Sequence, residues 1–467
     1  MKSLKVNFAL NSANQLLSII VPLVTTPYLS RILGAESLGI FSYANSVAYY
    51  FSMFAMLGLA NYGGREIAKS RNDSELLSSV FSGIFTTQLI STGIVTLIYL
   101  VYMFVDGGVM SKIYFFSILA VSLDINWLFF GLEEFSVTLK RNFTVKLIST
   151  LLIFIFVSQP SDVFCYAIIV VLSTLLGNGV LWISVRGRVK YVKTDFSTVK
   201  RHFLSNLTLF LPILLTSIYR VMDKIMLKWM SGYEQVGYYE NADKFGQIPL
   251  FLVASLSQIM IPRISSLVNE NKNTIIGDYF EKSILLISFI STSIIFGISG
   301  IADLFVPVYF GRGFEPCVTL IRVIVPSYIF TAYASVIRSQ FLIPFSRDKE
   351  YAVSLAVGAF LNIILNIILI PWFEAVGAAI ATAITEIVVC VMMFSCVRKK
   401  IKWKRIVLQN TPFYVSGCIM LFGISILPLS QESWISLLIK IAAGVLIYLA
   451  IIGGFYWFYR RAGKGNA

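Results

Sequence analysis

From residue 9 to residue 458 the chain is a succession of long apolar runs, many of them 18–25 residues, separated by short polar stretches. A helix of that length crosses a hydrocarbon core of roughly 30 Å. Inside such a core each backbone N–H and C=O must be satisfied within its own segment, which selects helices. The runs fall near 9–32, 38–62, 79–104, 113–132, 144–158, 163–185, 205–229, 237–262, 284–306, 316–345, 352–372, 376–396, 411–429 and 434–458. The expected fold is an all-α polytopic membrane protein with about fourteen transmembrane helices. Composition agrees: 57% of the residues are hydrophobic and 13% charged, too little charge to cover a soluble core. The start, "MKSLKVNFAL", runs into a span too long for a signal-peptide core, so no cleavable leader is expected.

The net charge of +14 would suit nucleic acid, but its placement argues for topology. About 28 lysines and arginines fall in one set of loops and ends, against about four at the alternate loops. By the positive-inside rule both termini are expected to be cytoplasmic, with anionic lipid as a secondary partner and no nucleic acid. The five cysteines show no CxxC pairing and read as small packing residues, with no metal site. The single histidine, His202, lies in a basic stretch and is expected to be structural.

The segment "LGAESLGIFSYANS" (33–46) is written again as "SGYEQVGYYENADK" (231–244). Gly34, Glu36, Gly39 and Ala44 map onto Gly232, Glu234, Gly237 and Ala242, and Arg65 onto Arg263, always 198 positions later. Six spans separate the copies, so the two repeats share one orientation. We expect a six-helix lobe at 1–187, a basic cytoplasmic linker at 188–202 and a second six-helix lobe at 203–398. A basic loop and an accessory helical pair follow at 399–467. Gly34, Glu36, Gly39, Gly232, Glu234 and Gly237 are the candidate hinge and gating residues.

Polar residues inside the spans mark the candidate site. Asn14, Ser18, Thr25 and Thr26 recur on one face of the first span. The seventh span puts Arg220, Asp223, Lys224 and Lys228 on one face; the second span of each copy carries Asn45 and Asp243, with Gln247 one turn beyond the latter. Asn362, Asn366 and Glu386 lie in the eleventh and twelfth spans. An ionisable group facing lipid costs about 2.5–3.5 kcal/mol, so these must pair or line a polar cavity. Counted span by span, Arg220, Lys224, Lys228, Arg322 and Arg338 outnumber the carboxylates, which suits an anion such as a phosphate. Asp223, Asp243 and Glu386 are candidates for binding a coupling ion. Thr25, Thr26, Asn45, Gln247, Asn362 and Asn366, with Asn14 and Ser18, are the candidate cavity lining. No Walker loop, HExxH or GxSxG stretch is present, so no enzyme activity and no cofactor are expected.

Four stretches carry a resemblance: "NFALNSANQLLSIIVPLVTTPYLSRILGAESLGIFSYANS", "DINWLFFGLEEF", "DKIMLKWMSGYEQVGYYENADKF" and "LNIILNIILIPWFEAVGAAIATAITE". Together they resemble the Wzx polysaccharide flippases of the multidrug/oligosaccharidyl-lipid/polysaccharide exporter superfamily. The resemblance implies a bacterial inner-membrane protein that moves undecaprenyl-diphosphate-linked oligosaccharide from the cytoplasmic to the periplasmic leaflet. It implies two six-helix lobes, related to those of the multidrug exporters, around a cationic cavity, and alternation between inward and outward openings. A polysaccharide polymerase and a chain-length regulator are the implied protein partners. Members commonly have twelve spans, so the pair at 411–458 departs from the pattern. Two alternatives stay open: a cation-coupled multidrug antiporter of the same superfamily, and a non-transporting scaffold of the assembly machinery.

Overall fold

The computed structural model describes the backbone of residues 4–429 and 432–464, and side chains from Ile20 to Trp457 with a few exceptions. Among the described residues there is no strand. Among the described residues nine helices are long and apolar enough to cross a membrane, or ten if the bent pair Phe196–Leu207 and Leu209–Ser231 counts as one span. The chain is thus a multi-pass helical membrane protein. It divides into two compact units, residues 1–217 and 218–467.

The first unit holds α1 (Leu4–Met56), α2 (Leu59–Ser70), α3 (Ser74–Asp106), α4 (Val109–Ser122), α5 (Asn126–Gly131), α6 (Phe135–Phe156), α7 (Val163–Leu181) and the start of α8 (Phe196–Ser231). Its centre is the short α5 segment, where Trp127, Leu128 and Phe129 are fully buried. Trp127 Nε1 donates to Gln88 Oε1 at 2.9 Å, and Gln88 Nε2 donates to the Val121 and Asp124 carbonyls at 2.6 and 2.9 Å. One glutamine therefore satisfies both the buried indole and the carbonyls left open where α4 stops. A Cβ at Gly63 would stand 2.9 Å from the Trp127 ring, so only glycine admits the indole there. Beyond α5, Arg71 Nη1 meets Glu133 at 2.6 Å. Arg188 forks onto Glu134, with Nε 3.1 and 2.9 Å from its two oxygens.

The basic linker leads into α8, whose first turns pack within the first unit. His202 is buried, with Nδ1 2.8 Å from the Tyr62 hydroxyl and its ring against Gly83. Phe210 packs with Met53 and Leu57. These contacts draw residues 203–217, assigned from sequence to the start of the second lobe, into the first unit.

The second unit continues α8 and adds α9 (Tyr233–Gly246), α10 (Ile248–Asn269), α11 (Asn273–Tyr309), α12 (Pro316–Ile324), α13 (Tyr328–Ile337), α14 (Asp348–Val397), α15 (Trp403–Ile426) and α16 (Trp434–Lys464). The run expected as one span at 237–262 is broken at Gly246–Gln247, where α9 ends and α10 begins. α14 spans 50 residues but turns at Glu374 (φ 50°, ψ −129°), giving two limbs. A Cβ at Gly377 would meet the Leu369 carbonyl at 2.3 Å and one at Gly358 would meet Val389 at 2.4 Å, so bare glycines let the limbs close on each other. The final pair, α15 and α16, packs on α11 through Ile301, Leu304, Met420, Ile424 and Tyr448. Hydroxyl contacts add to it: Thr292 of α11 to Tyr448 at 2.6 Å, and Tyr333 of α13 to Tyr414 of α15 at 2.7 Å. All five cysteines are unpaired.

Candidate functional site

The two repeated glycines adopt one unusual backbone. Gly34 has φ 73°, ψ 174° and Gly232 has φ 96°, ψ 175°, a region essentially closed to residues with a Cβ. Of the six expected hinge and gating residues, these two hold the non-helical backbone. Gly39 and Gly237, expected as part of the hinge, are helical and buried, so they serve close packing. Glu36 and Glu234 are both exposed; the Tyr238 hydroxyl donates to Glu234 at 2.7 Å. In the second copy Gln235 Nε2 also donates to Glu374 Oε2 at 2.7 Å, joining this turn to the break in α14.

Beyond the Gly232 turn, α8, α9 and both limbs of α14 bring a buried polar cluster together. Asp223 is fully buried and accepts from the Tyr239 hydroxyl at 2.8 Å, Thr382 Oγ1 at 2.6 Å and Asn366 Nδ2 at 2.5 Å. Asn366 Nδ2 also donates to Asn362 Oδ1 at 3.1 Å. The Glu374 break makes this possible, because it folds Asn366 and Thr382, on opposite limbs, toward one carboxylate. One turn earlier on α8, Arg220 Nη2 lies 3.5 Å from Glu386 Oε1, and Glu386 is one turn beyond Thr382. Two rungs thus join α8 to α14: Asp223 with Thr382, and Arg220 with Glu386.

A second group sits on α9. Asp243 is buried and accepts from the Tyr328 hydroxyl and from Gln247 Nε2, the latter at 2.8 Å. Lys224 of α8 pairs with Glu240, which Lys244 also approaches at 3.8 Å. The Tyr328 ring reaches Asp243 by packing on Gly246, where an added Cβ would stand 2.3 Å from the ring.

The expected surplus of cations is corrected by these pairings. Within this cluster three cations (Arg220, Lys224, Lys244) meet four carboxylates (Asp223, Glu240, Asp243, Glu386). The count by span failed because the compensating carboxylates come from neighbouring helices. Arg322 is not bonded into the cluster: it pairs with Asp303 of α11. Arg338, in a π-helical segment at the end of α13, lies 6.0 Å from the Tyr351 ring centre. Lys228 stands 5.5 Å over the Tyr233 ring.

Several residues expected to line an open cavity are enclosed instead. Asn362 and Asn366 are fully buried; Asn366 Nδ2 serves both Asp223 and Asn362, while Asn362 Nδ2 and Asn366 Oδ1 are buried without a partner. Thr25 and Thr26 are buried in the first unit, with Thr25 Oγ1 bonded back to the Val21 carbonyl at 3.0 Å. Asn45 is exposed and Gln247 half-buried. The side chains of Asn14 and Ser18 lie outside the described residues. Sequence reasoning missed Tyr239, Glu240 and Tyr328. The first two had a visible signal, i to i+4 spacing with Asp243 and Lys244; Tyr328 had none.

Comparison with known proteins supplies the context for this cluster. A protein from Escherichia coli K12 named "Putative O-antigen transporter" is 25% identical over 390 residues, covering 81% of this chain and 93% of its own length. A Shigella dysenteriae protein of the same name is 22% identical over 408 residues, 85% of this chain and 100% of the relative. Among solved structures, one described as "Lipid II flippase MurJ, inward closed conformation" aligns with TM-score 0.77 at 17% identity, covering 96% of this chain and 99% of the other. An inward-facing multidrug resistance MATE family transporter of the MOP superfamily aligns with TM-score 0.61 at 13% identity, covering 84% and 99%. These two alignments establish the fold. The model of the polysaccharide biosynthesis protein family matches residues 4–268, more than half of the sequence. The chain belongs to that polysaccharide biosynthesis protein family, and its helices take the fold shared by those two transporters.

Proposed function

We propose that the protein is a flippase that moves undecaprenyl-diphosphate-linked oligosaccharide repeat units from the cytoplasmic to the periplasmic leaflet of a bacterial inner membrane. The reading includes fourteen spans, cytoplasmic termini and alternating access. Family membership supports it, as do relatives named as O-antigen transporters. So does a Haloferax volcanii protein named "Probable low-salt glycan biosynthesis flippase Agl15", 27% identical over 236 residues, half of each chain.

The observation that carries the mechanism is the loose pairing of Arg220 with Glu386. Their contact is 3.5 Å, Arg220 Nε has no acceptor, and the arginine side chain is 36% exposed. A diphosphate offers oxygens in the spacing a guanidinium fork matches, and it can displace a carboxylate held this weakly. Lys224 and Lys228 follow Arg220 on the same helix and are the next contacts. Asp223 is the proposed coupling site. All three of its donors are neutral, and asparagine and hydroxyl oxygens crowd around it, a set suited to a proton or a sodium ion. An inside-negative potential favours outward movement of an anion by about 2.3 kcal/mol per charge per 100 mV.

The four-to-three excess of carboxylates favours a second reading, a multidrug antiporter taking organic cations. One experiment separates the two. In cells lacking the gene, Arg220→Glu and Lys224→Glu should abolish surface polysaccharide while the protein accumulates in the membrane, and Arg220→Lys should restore part of it. Normal display by both charge reversals overturns the reading. Retained drug resistance conferred by the wild-type chain in a sensitive host favours the antiporter.

A further inference from the structure

A cleft of about 700 Å³ runs between α6 and α7 of the first unit. It extends from Val137 to Leu152 along α6. At 1.5 Å per residue that is about 22 Å, enough to cross one leaflet of a hydrocarbon core. Most of its wall is apolar, including Val145, Ile148, Leu152, Ile168, Leu172 and Leu176. Its polarity is concentrated at one end, where Lys140 and Arg141 line it, and no carboxylate does.

Arg141 is built into that end. Its Nη2 donates to Asn126 Oδ1 at 2.5 Å, while its Nε is buried without an acceptor. The neighbouring carboxylate, Asp124, is occupied by the backbone N–H and Nδ2 of Asn126, at 3.0 and 2.6 Å. Gly177 of α7 faces the guanidinium: a Cβ there would stand 3.2 Å from Val145 Cγ2 and 3.6 Å from Arg141 Nη1. The glycine leaves room for the arginine and for a ligand atom beside it. A buried guanidinium N–H without an acceptor is costly, so a ligand here should bring an acceptor oxygen, and beside Lys140 and Arg141 an anionic one is favoured.

We infer that this cleft is a resident site for one anionic diacyl phospholipid, its phosphate held by Lys140 and Arg141 and one acyl chain laid along the apolar wall. Charge selects the class. A zwitterionic lipid would place a second cation beside Lys140 and Arg141, whereas a phosphodiester with a neutral headgroup brings only the acceptor. The site requires nothing of the translocation reading, since its residues all belong to the first unit.

The test uses the full-length protein, delipidated in detergent and titrated with phosphatidylglycerol, phosphatidylcholine or a polyprenyl diphosphate, with bound lipid counted by native mass spectrometry. Wild type should retain phosphatidylglycerol over phosphatidylcholine. The double variant Lys140→Ala/Arg141→Ala should weaken phosphatidylglycerol binding on the order of tenfold or more, the effect of two basic contacts at a headgroup. Ser173→Trp fills the groove with both cations intact and should reduce retention as well, so a folding defect in the double variant does not spare the idea. Equal retention of the two phospholipids by wild type overturns the assignment. Undiminished binding by the groove-filled variant also overturns it, and so does preference for the polyprenyl diphosphate.

Discussion

Gly34 and Gly232, 198 positions apart, hold nearly superimposable backbone angles, φ 73°/ψ 174° and φ 96°/ψ 175°. Beyond the adjoining backbone, neither has a neighbour within 4 Å of the place a Cβ would take, so the requirement for glycine is in the backbone and not in crowding. Gly34→Ala and Gly232→Ala should each destabilise the detergent-solubilised protein by about 1–3 kcal/mol, by similar amounts. Thermal unfolding of the two variants side by side measures this. A null effect at one glycine alone would mean that the two turns relax differently.

Asp223 draws three neutral donors and no cation. Asp223→Asn keeps the volume but replaces an acceptor-only group by an amide that must also donate. Tyr239, Thr382 and Asn366 then compete for one oxygen. We expect at least a tenfold loss of transport, in line with about 1.5–3 kcal/mol for a hydrogen bond to a charged group, with membrane accumulation preserved. Surface glycan display against protein level by immunoblot gives the ratio. Asn362→Ala should act in the same direction, since Asn362 Oδ1 accepts from the same Asn366 amide that donates to Asp223.

Gly246 lies under the Tyr328 ring, whose hydroxyl reaches Asp243. Gly246→Ala should push the ring away and cost about 1–3 kcal/mol by overpacking. Tyr328→Phe removes only the hydroxyl and leaves the packing. If the two variants lose activity equally, the bond to Asp243 matters; if only Gly246→Ala does, the packing at the α9–α10 break matters.

Asp195, fully exposed in the linker before α8, is held down to about 2 by the Ser197 hydroxyl and by the hydroxyl and backbone N–H of Thr198. Its folded value lies below its unfolded one, so whatever it contributes is present above the ordinary carboxylate range and lost as pH falls through about 2. The start of α8 should therefore stay protected from amide exchange at pH 4. Asp195→Ala should expose it there.

Much of this architecture was legible in the residues. Run length specifies crossing helices whatever their partners, and the repeated glycines specify turns because their backbone excludes other residues. The ion pairing was not legible. Lys224 finds Glu240 and Arg220 finds Glu386 only after α8, α9 and α14 are side by side, and local spacing announces neither pairing. The division of the run at 237–262 was hidden for the same reason, since the ring packed on Gly246 arrives from α13. The Asn362–Asn366 pair was visible as a polar stripe, but a stripe reads alike whether it borders water or wraps a buried carboxylate.

The clasp around Asp223 has a consequence for biogenesis. Its donors are far away in the order of synthesis: Tyr239 follows by 16 residues, but Asn366 by 143 and Thr382 by 159. At about 5–20 residues per second, roughly 7–30 s separate the carboxylate from its first α14 donor. For that interval a nascent α8 carries a polar group that Tyr239 alone can reach, and it is poorly suited to sit in lipid. The second unit is thus a structure that closes late, and Asp223 is the point on which α14 has to arrive.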